Sequence, residues 1–381
     1  MKIAIIVPGG VDRSGEYRVI PALLALIKRL ALRDEVHVFA LLQEPRPGTW
    51  DLLGAHIHNI GARYTRLRAI RAICAEHRLS AFHVVHSIWC GAPGFTAVTA
   101  AAILRLPCVI HVAGGELVRL TDVGYGGRLT WKGRLLTAAV LRAATLVTAP
   151  SAPMIEALAR LGIAAQRLPL GVDLSVWPAR APIRRDTSKP ARLIHVASLN
   201  RVKDQPTLLR ALASLSASGL AFHMDIVGED TLHGEIQALA ERLGLSEKMK
   251  FHGFLPHRSL LALVEAAHLM IMTSRHEAGP LATLEAAVKG VATIGTAVGH
   301  IAEWTPHAAI SVPVGDWAAL ARAMAEVLGD EELRLRIAMN AHRRATQEDA
   351  DCTARGFQAI YTNLASQRSL RSRIPGADAR S

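Results

Sequence analysis

The chain has few aromatic residues, because Phe, Trp and Tyr together make up 4% of its 381 residues. Hydrophobic residues still reach 50%, so any core has to be built from aliphatic side chains. This balance of apolar and charged residues is typical of globular proteins. The length favours two domains over one.

Cysteine is also scarce, and no CxxC pair occurs. The spacing argues against a disulfide framework and against a zinc site, and reduced thiols in a cytoplasmic protein are the simpler interpretation. The four cysteines are Cys74, Cys90, Cys108 and Cys352.

Long uninterrupted hydrophobic runs are missing. The opening MKIAIIV is too short for the apolar part of a secretory signal and fits a buried strand. The uncharged stretch at 80–104 is long enough to span a bilayer, but histidines and the GAPG sequence at 91–94 interrupt it as a strand, turn and helix would. We therefore predict no transmembrane segment.

Acidic residues are outnumbered, which gives a net charge of +12. Such a surplus favours binding of nucleic acid, anionic lipid or phosphate-bearing small molecules, but no nucleic-acid-binding motif is recognisable.

Arg and Lys recur at helical spacing at 63–78 and 127–142. Each segment alone is more simply a surface helix, but the two together, with Trp131, make peripheral contact with the inner face of the cytoplasmic membrane a secondary hypothesis.

Short apolar strands alternate with helical patterns in both halves of the chain. This rhythm predicts parallel sheets with helices on both faces. The first half carries a helix at 15–31 and strands at 2–7, 35–41, 56–60, 82–86, 108–113 and 146–149. The second half carries strands at 192–199, 222–228, 250–254, 268–274, 291–296 and 308–313.

The rhythm stops near 171–190, where three prolines and a charge run indicate a linker. The fold class is therefore α/β, with two doubly wound Rossmann-like domains that face each other across a cleft and bind ligand at the carboxyl ends of their strands. The predicted boundaries are 1–175 for the first domain, 176–190 for the hinge, 191–350 for the second domain, 351–366 for a helix that crosses back, and 367–381 for a disordered basic tail.

The stretch EAGPLATLEA, residues 277–286, places Glu277 and Glu285 where an apolar strand turns into a helix. With KGVATIGTAVGHIAEW after it, it resembles the E-x7-E signature of family-4 retaining glycosyltransferases of the GT-B type. The resemblance extends over nearly the whole chain, including the PGG loop, PLGVDLSVWP, SLNRVKDQPTLLRAL and HGFLPH. It implies a nucleotide-diphosphate sugar as co-substrate, bound by the second domain (191–350), an acceptor on the first domain (1–175), and neither a cofactor nor an obligatory metal.

By this resemblance Glu277 touches the donor sugar and Glu285 holds the ribose hydroxyls. Taken alone, Glu277 would be a carboxylate favoured by a helix dipole, and Glu285 a solvent-facing helix residue.

The helix between these two carboxylates offers a terminus for phosphate. Pro280 fits its first position, Gly279 lets the backbone come close, and Leu281 and Ala282 keep N–H donors for the ligand.

Lys203 occupies the family position that pairs with donor phosphates. The family usually has an arginine five residues earlier, where this chain has Ser198, and Arg201 in the same loop is the candidate replacement. Gly9 and Gly10 follow the first strand without a GxGxxG pattern. They form either a simple tight turn or the family's loop that approaches donor phosphate or acceptor.

His111 ends a predicted strand, where the cleft should lie, and the resemblance implies that it faces the reacting sugar. A core histidine is the alternative, because the chain has 17 histidines. Glu116, in the following AGGE turn, is a weaker candidate for a contact with sugar or acceptor.

The resemblance implies a retaining, metal-independent hexosyltransferase of polysaccharide biosynthesis. The basic helices of the first domain suggest a glycan or lipid-linked acceptor, such as a cell-envelope glycan precursor. An epimerase or phosphorylase of the same fold, and a degenerate nucleotide-binding protein, are the alternatives. The serine at position 198 is the one observation that favours the degenerate protein.

Overall fold

The fold is taken from a computed structural model that describes residues 1–372, with side chains up to residue 368. The first half forms an eight-stranded sheet in the order β3-β4-β2-β1-β5-β6-β7-β8. All neighbours are parallel except β3, which runs antiparallel to β4. The strands are β1 Lys2–Val7, β2 Glu35–Ala40, β3 Gly48–Leu52, β4 Ala55–Asn59, β5 Val84–Ile88, β6 Cys108–His111, β7 Leu146–Ala149 and β8 Ala165–Arg167.

Helices cover both faces of this sheet, and each face has its own aliphatic core. Strands such as β1 and β5 are buried along their whole length, as expected for central parallel strands. The helices are α1 Pro21–Leu30, α2 Thr65–Leu79, α3 Ala92–Leu104, α4 Trp131–Ala143 and α5 Ala152–Ala159, with a 3-10 turn at Gly115–Leu117.

The second half forms a six-stranded, fully parallel sheet in the order β11-β10-β9-β12-β13-β14. Counted within this sheet, the order is 3-2-1-4-5-6, that of a doubly wound nucleotide-binding fold. The strands are β9 Ala191–Val196, β10 Phe222–Val227, β11 Met249–Phe251, β12 Leu269–Met272, β13 Ala292–Thr296 and β14 Ile310–Val312.

Seven helices accompany this second sheet and again form a core on each face. The doubly wound α/β class is thereby confirmed for both halves. The helices are α6 Gln205–Ala217, α7 Glu235–Arg242, α8 His257–Ala266, α9 Leu281–Val288, α10 Gly299–Trp304, α11 Trp317–Gly329 and α12 Glu331–Gln347.

The last helix, α13 Ala350–Ser372, returns to the first sheet. Its Phe357 and Tyr361 are fully buried in a core of that sheet, and the Tyr361 hydroxyl lies 2.6 Å from Nδ1 of His86. The helix continues past residue 366, where we predicted its end. The rest of the predicted disordered tail, 373–381, lies outside the described residues.

The structure corrects two other expectations. The first helix begins at Pro21 and not near residue 15, because Gly10 and Gly15 adopt positive φ and 11–20 form a loop closed by a bridge between Val11 and Val19. Strands β3 and β8 were missed. Both are short edge strands that are only partly buried, so their sequences lack a clear apolar pattern.

Candidate active site

Two of the predicted residues, Lys203 and Glu277, meet at the carboxyl edge of the second sheet. Lys203 follows β9 and Glu277 follows β12, and these neighbouring strands flank the point where the strand order reverses. The Lys203 ammonium forms an ion pair with Oε1 of Glu277, and the Ser274 hydroxyl donates to the same oxygen at 2.6 Å. Ligands of doubly wound sheets bind at this reversal point.

The turn before α9 brings the two domains together. α9 begins at Leu281, so Pro280 is the cap and not, as predicted, the first helical residue. As the first two helical residues, Leu281 and Ala282 have N–H groups without a partner inside the helix. A Cβ on Gly279 would lie 2.9 Å from Pro150 and from His300, so its small size is needed for packing of the first domain on this turn.

Glu285 lies one helical turn deeper and is almost fully buried. Burial raises the pKa of its carboxyl to about 8. Nε2 of His257 is 4.0 Å from a Glu285 oxygen, too far for a hydrogen bond. Nδ1 of His257 accepts from the Trp177 indole at 2.9 Å, so the neutral ring presents its Nε2–H toward Glu285.

The Glu285 carboxyl faces a cavity of about 490 Å³ between the two halves of the chain. Its walls come from the loop at 15–17, from α1, from the segment 171–177 and from the start of α8. Leu281 lines the same cavity, so the cavity reaches the first turn of α9. A pocket of this size can enclose a nucleoside.

The loop after β1 is held in place by the Gln43 side chain. Oε1 of Gln43 accepts from the N–H groups of Gly10 and Val11 at 2.7 and 3.0 Å. Gly10 has a φ of +85°, and a Cβ there would collide with Ile20. Gly9 packs against the Leu42 carbonyl, so packing accounts for both glycines of the predicted loop.

Arg201, the predicted second basic residue of the phosphate site, lies away from Lys203 and Glu277. The Arg201 guanidinium is well exposed and binds both oxygens of Glu235 at 3.1 Å. Ser198 offers its carbonyl to the Gln205 amide at 3.1 Å. Neither side chain joins the Lys203–Glu277 pair.

His111 is fully buried and does not reach that pair either. Its Nδ1 lies 2.9 Å from the Thr148 hydroxyl, and its ring packs edge-on against Phe357 of α13. Burial lowers its pKa to about 3. The prediction that His111 ends a strand is confirmed, because it is the last residue of β6. Its side chain, however, points toward the C-terminal helix α13.

Glu116 holds its own loop together. One oxygen accepts from the Cys90 N–H at 3.0 Å and the other from the Gly114 N–H at 2.7 Å. Burial raises the pKa of this carboxyl. The side chain therefore ties the loop after β5 to the loop after β6.

Two residues beside Glu277 were not predicted. Nε2 of His276 lies 3.1 Å from the Gly114 carbonyl of the first domain, and burial lowers the pKa of its imidazole. Arg275 forms an ion pair with Asp122, also of the first domain. In the sequence, both residues belong to the polar run SRHE between a strand and a helix. Such a run is common, and only the contacts with the first domain show that these two residues lie at the cleft.

Comparisons with known proteins identify the family and the fold. The profile of the glycosyl transferases group 1 family matches residues 180–344, and that of the glycosyl transferase 4-like domain matches residues 19–171. Sucrose-phosphate synthase from Thermosynechococcus elongatus superposes with a TM-score of 0.79 at 18% identity, covering 96% of this chain and all of the other. The chain belongs to the family-4 glycosyltransferases of the GT-B fold.

Other glycosyltransferases match as well. HepE from Anabaena, solved in complex with UDP-glucose, has a TM-score of 0.72 at 19% identity and covers 95% of this chain and all of its own. Glycogen synthase from Mycobacterium tuberculosis is 30% identical over 208 residues, 54% of this chain and 49% of that protein. The chain thus spans about half the length of the curated relatives it matches.

Within the described residues, 1–372, no helix combines the length and the apolar character that crossing a bilayer requires.

Proposed function

We propose that the protein transfers a hexosyl group from a nucleotide-diphosphate sugar to an acceptor, with retention at the anomeric carbon and without an obligatory metal. The observation that carries this proposal is the Lys203–Glu277 pair at the reversal point of the second sheet. A positive charge beside a helix N-terminus suits a leaving diphosphate. HepE, of the same fold, binds UDP-glucose.

The donor would extend from the cavity to this pair. Its ribose hydroxyls would bind Glu285, with the nucleoside in the cavity. Its diphosphate would accept from Lys203 and from the N–H groups of Leu281 and Ala282. The sugar would contact Glu277, which Lys203 and Ser274 hold in the cleft.

In the transfer step, the bond from the anomeric carbon to the phosphate oxygen breaks and a bond to the acceptor oxygen forms on the same face. The departing phosphate oxygen takes the acceptor proton, so the step needs no protein base. This route is consistent with the burial of His111. The contact of His276 with the Gly114 carbonyl joins the two domains beside Glu277, and a closed cleft there would keep water from the donor.

The experiment that tests this function is a panel of uridine-, guanosine- and adenosine-diphosphate sugars, with release of free nucleoside diphosphate as the readout. Many transferases slowly hydrolyse their donor, so no acceptor has to be known. We expect release from one donor without added divalent ion and an unchanged rate with EDTA. Dependence on a metal would contradict the metal-independent mechanism. Failure of every nucleotide to bind by calorimetry would contradict the function.

We also propose that the acceptor is a lipid-linked or cell-envelope glycan precursor on an anionic membrane. Trp131 and Leu135 of α4 are 60% and 61% exposed. Next to them is a groove of about 240 Å³ whose apolar floor is flanked by Arg128, Arg134 and Arg142. Exposed apolar side chains among arginines suit the boundary between headgroups and acyl chains.

We expect the protein to sediment with vesicles that contain phosphatidylglycerol and to stay in solution with phosphatidylcholine vesicles. Trp131→Ala combined with Arg134→Ala should weaken the binding about tenfold, because an exposed aromatic anchor and a charge are lost. The matched control is Trp317→Ala combined with Arg322→Ala on α11, which should bind like wild type. Equal binding to both vesicle types would contradict the membrane proposal.

A further inference from the structure

A cluster of imidazole and carboxylate groups lies on the first sheet, away from the cleft. It consists of His37 on β2, His58 on β4 and Glu76 near the end of α2. One ligand atom from each residue lies within 4.8 Å of the others. Lys2 and Glu35, which contact this cluster, are the first residues of β1 and β2, whereas the cleft is at the carboxyl ends, so the cluster is separate from the donor site.

The sheet register brings the two histidines together. β2 and β4 are parallel, and His37 pairs with His56 while Phe39 pairs with His58. Residues two apart on a strand share a face, and so do register partners. His37 and His58 therefore project from the same face of the sheet, the face on which α2 places Glu76.

The two imidazoles are arranged as ligands. Nδ1 of His37 is 2.9 Å from Nε2 of His58, so one of these nitrogens donates a proton to the lone pair of the other. A metal ion would take the place of this shared proton, with both lone pairs directed at the ion. In a tetrahedral zinc site, with bonds of about 2.0–2.1 Å, two nitrogens are roughly 3.3 Å apart. A small opening of the pair would admit the ion. Glu35 lies 3.0 Å from Nε2 of His37 and can orient this ring, as an outer carboxylate does at many metal sites.

The fold already places a positive charge at these carboxylates. Nζ of Lys2 lies 2.7 Å from Oε1 of Glu76 and 3.1 Å from Oε1 of Glu35. The carboxylates of Glu35 and Glu76 therefore both bind the same cationic group. A metal ion would have to compete with this Lys2 ammonium for Glu76.

We propose that His37, His58 and Glu76 bind a divalent transition-metal ion, zinc in the first place, and that the ion displaces Lys2 from Glu76. Two imidazoles and one carboxylate form a donor set that zinc accepts, with water as the fourth ligand. The ion would join β2, β4 and α2, so binding should also raise the melting temperature.

The test is titration of the tag-free, full-length protein with Zn²⁺ by calorimetry, and with Co²⁺ by its visible ligand-field absorption. We expect one ion per chain and an affinity at least about tenfold lower in His58→Ala and in Glu76→Gln. Glu76→Gln keeps the size of the side chain, so it separates loss of a ligand from misfolding. His223→Ala, which removes an exposed histidine of β10, should bind like wild type.

Lys2→Met tests the displacement. Removal of the competing ammonium should strengthen Zn²⁺ binding at least about tenfold, since a buried like charge a few ångströms away opposes the ion. Absence of binding to the wild-type protein would overturn the proposal. Binding that persists unchanged in His58→Ala and Glu76→Gln would do so as well, because the ion would then be on other histidines. Unchanged affinity in Lys2→Met would overturn the displacement.

Discussion

Lys203→Ala is expected to lower kcat by roughly 10²–10³-fold, the usual effect of removing one preorganised charge from a developing anion. The leaving diphosphate gains charge as the glycosidic bond breaks, and Lys203 is the cation that the fold holds beside Glu277 at the head of α9. The loss should be larger in kcat than in KM, because the charge is greatest in the transition state. The measurement is the initial rate of nucleotide release or transfer over a range of donor concentrations.

Glu277→Gln should reduce kcat to a similar degree, since the amide keeps the shape of the side chain but loses the ion pair with Lys203 and the negative charge that would face the sugar in the proposed complex. The double variant should be little worse than either single one, because the two side chains act as a unit. Lys250→Ala, which removes an exposed lysine of β11, is the control. If Lys203→Ala keeps kcat within about twofold of wild type, this assignment of the donor site is wrong.

Glu285→Gln is expected to stabilise the protein while it weakens donor binding. The folded-state pKa of about 8 lies above the ordinary value of 4.5, so burial favours the protonated form. The folded state is therefore progressively penalised as pH rises from about 4.5 to 8. The substitution removes this penalty, and the free energy of unfolding should rise by roughly 2–4 kcal/mol at pH 8 and by under about 1 kcal/mol at pH 5.

Donor binding should respond in the opposite direction. In the proposed donor complex, an ionised Glu285 carboxylate would accept from both ribose hydroxyls more strongly than the protonated carboxyl, so nucleotide affinity should increase with pH up to about 8, and Glu285→Gln should lose this dependence. Denaturant unfolding and calorimetry at matched pH values measure both effects. Glu241→Gln, on the exposed face of α7, is the control. A variant no more stable than wild type at pH 8 would show that the buried carboxyl carries no penalty.

The sequence predicted the central strands well because their apolar side chains are buried on both faces. β1 after Lys2 and the whole of β12 are continuous apolar runs, and such runs have few alternatives. β5 was predicted two residues too early, because His86 and Ser87 interrupt its apolar pattern. The start of α1 was mispredicted because Val19 and Ile20 continue an amphipathic pattern backward into a loop. Periodicity alone does not report the positive φ values of Gly10 and Gly15 that prevent a helix there.

For the site, residues on loops that leave neighbouring strands were predictable, whereas the direction of a side chain was not. Lys203 and Glu277 follow β9 and β12, so any parallel pairing of these strands brings them close. His111 lies at a strand end as expected, but α13 covers the face to which it points. His276 was overlooked because its partner, the Gly114 carbonyl, belongs to the other half of the chain.

The path of α13 also bears on how the chain folds during synthesis. Phe357 and Tyr361 complete a core whose other members come mostly from the first 110 residues. As the ribosome releases the first sheet, that core stays open on one side until the whole second domain has emerged. The second sheet has no such dependence, so the domain made last should reach its native packing first.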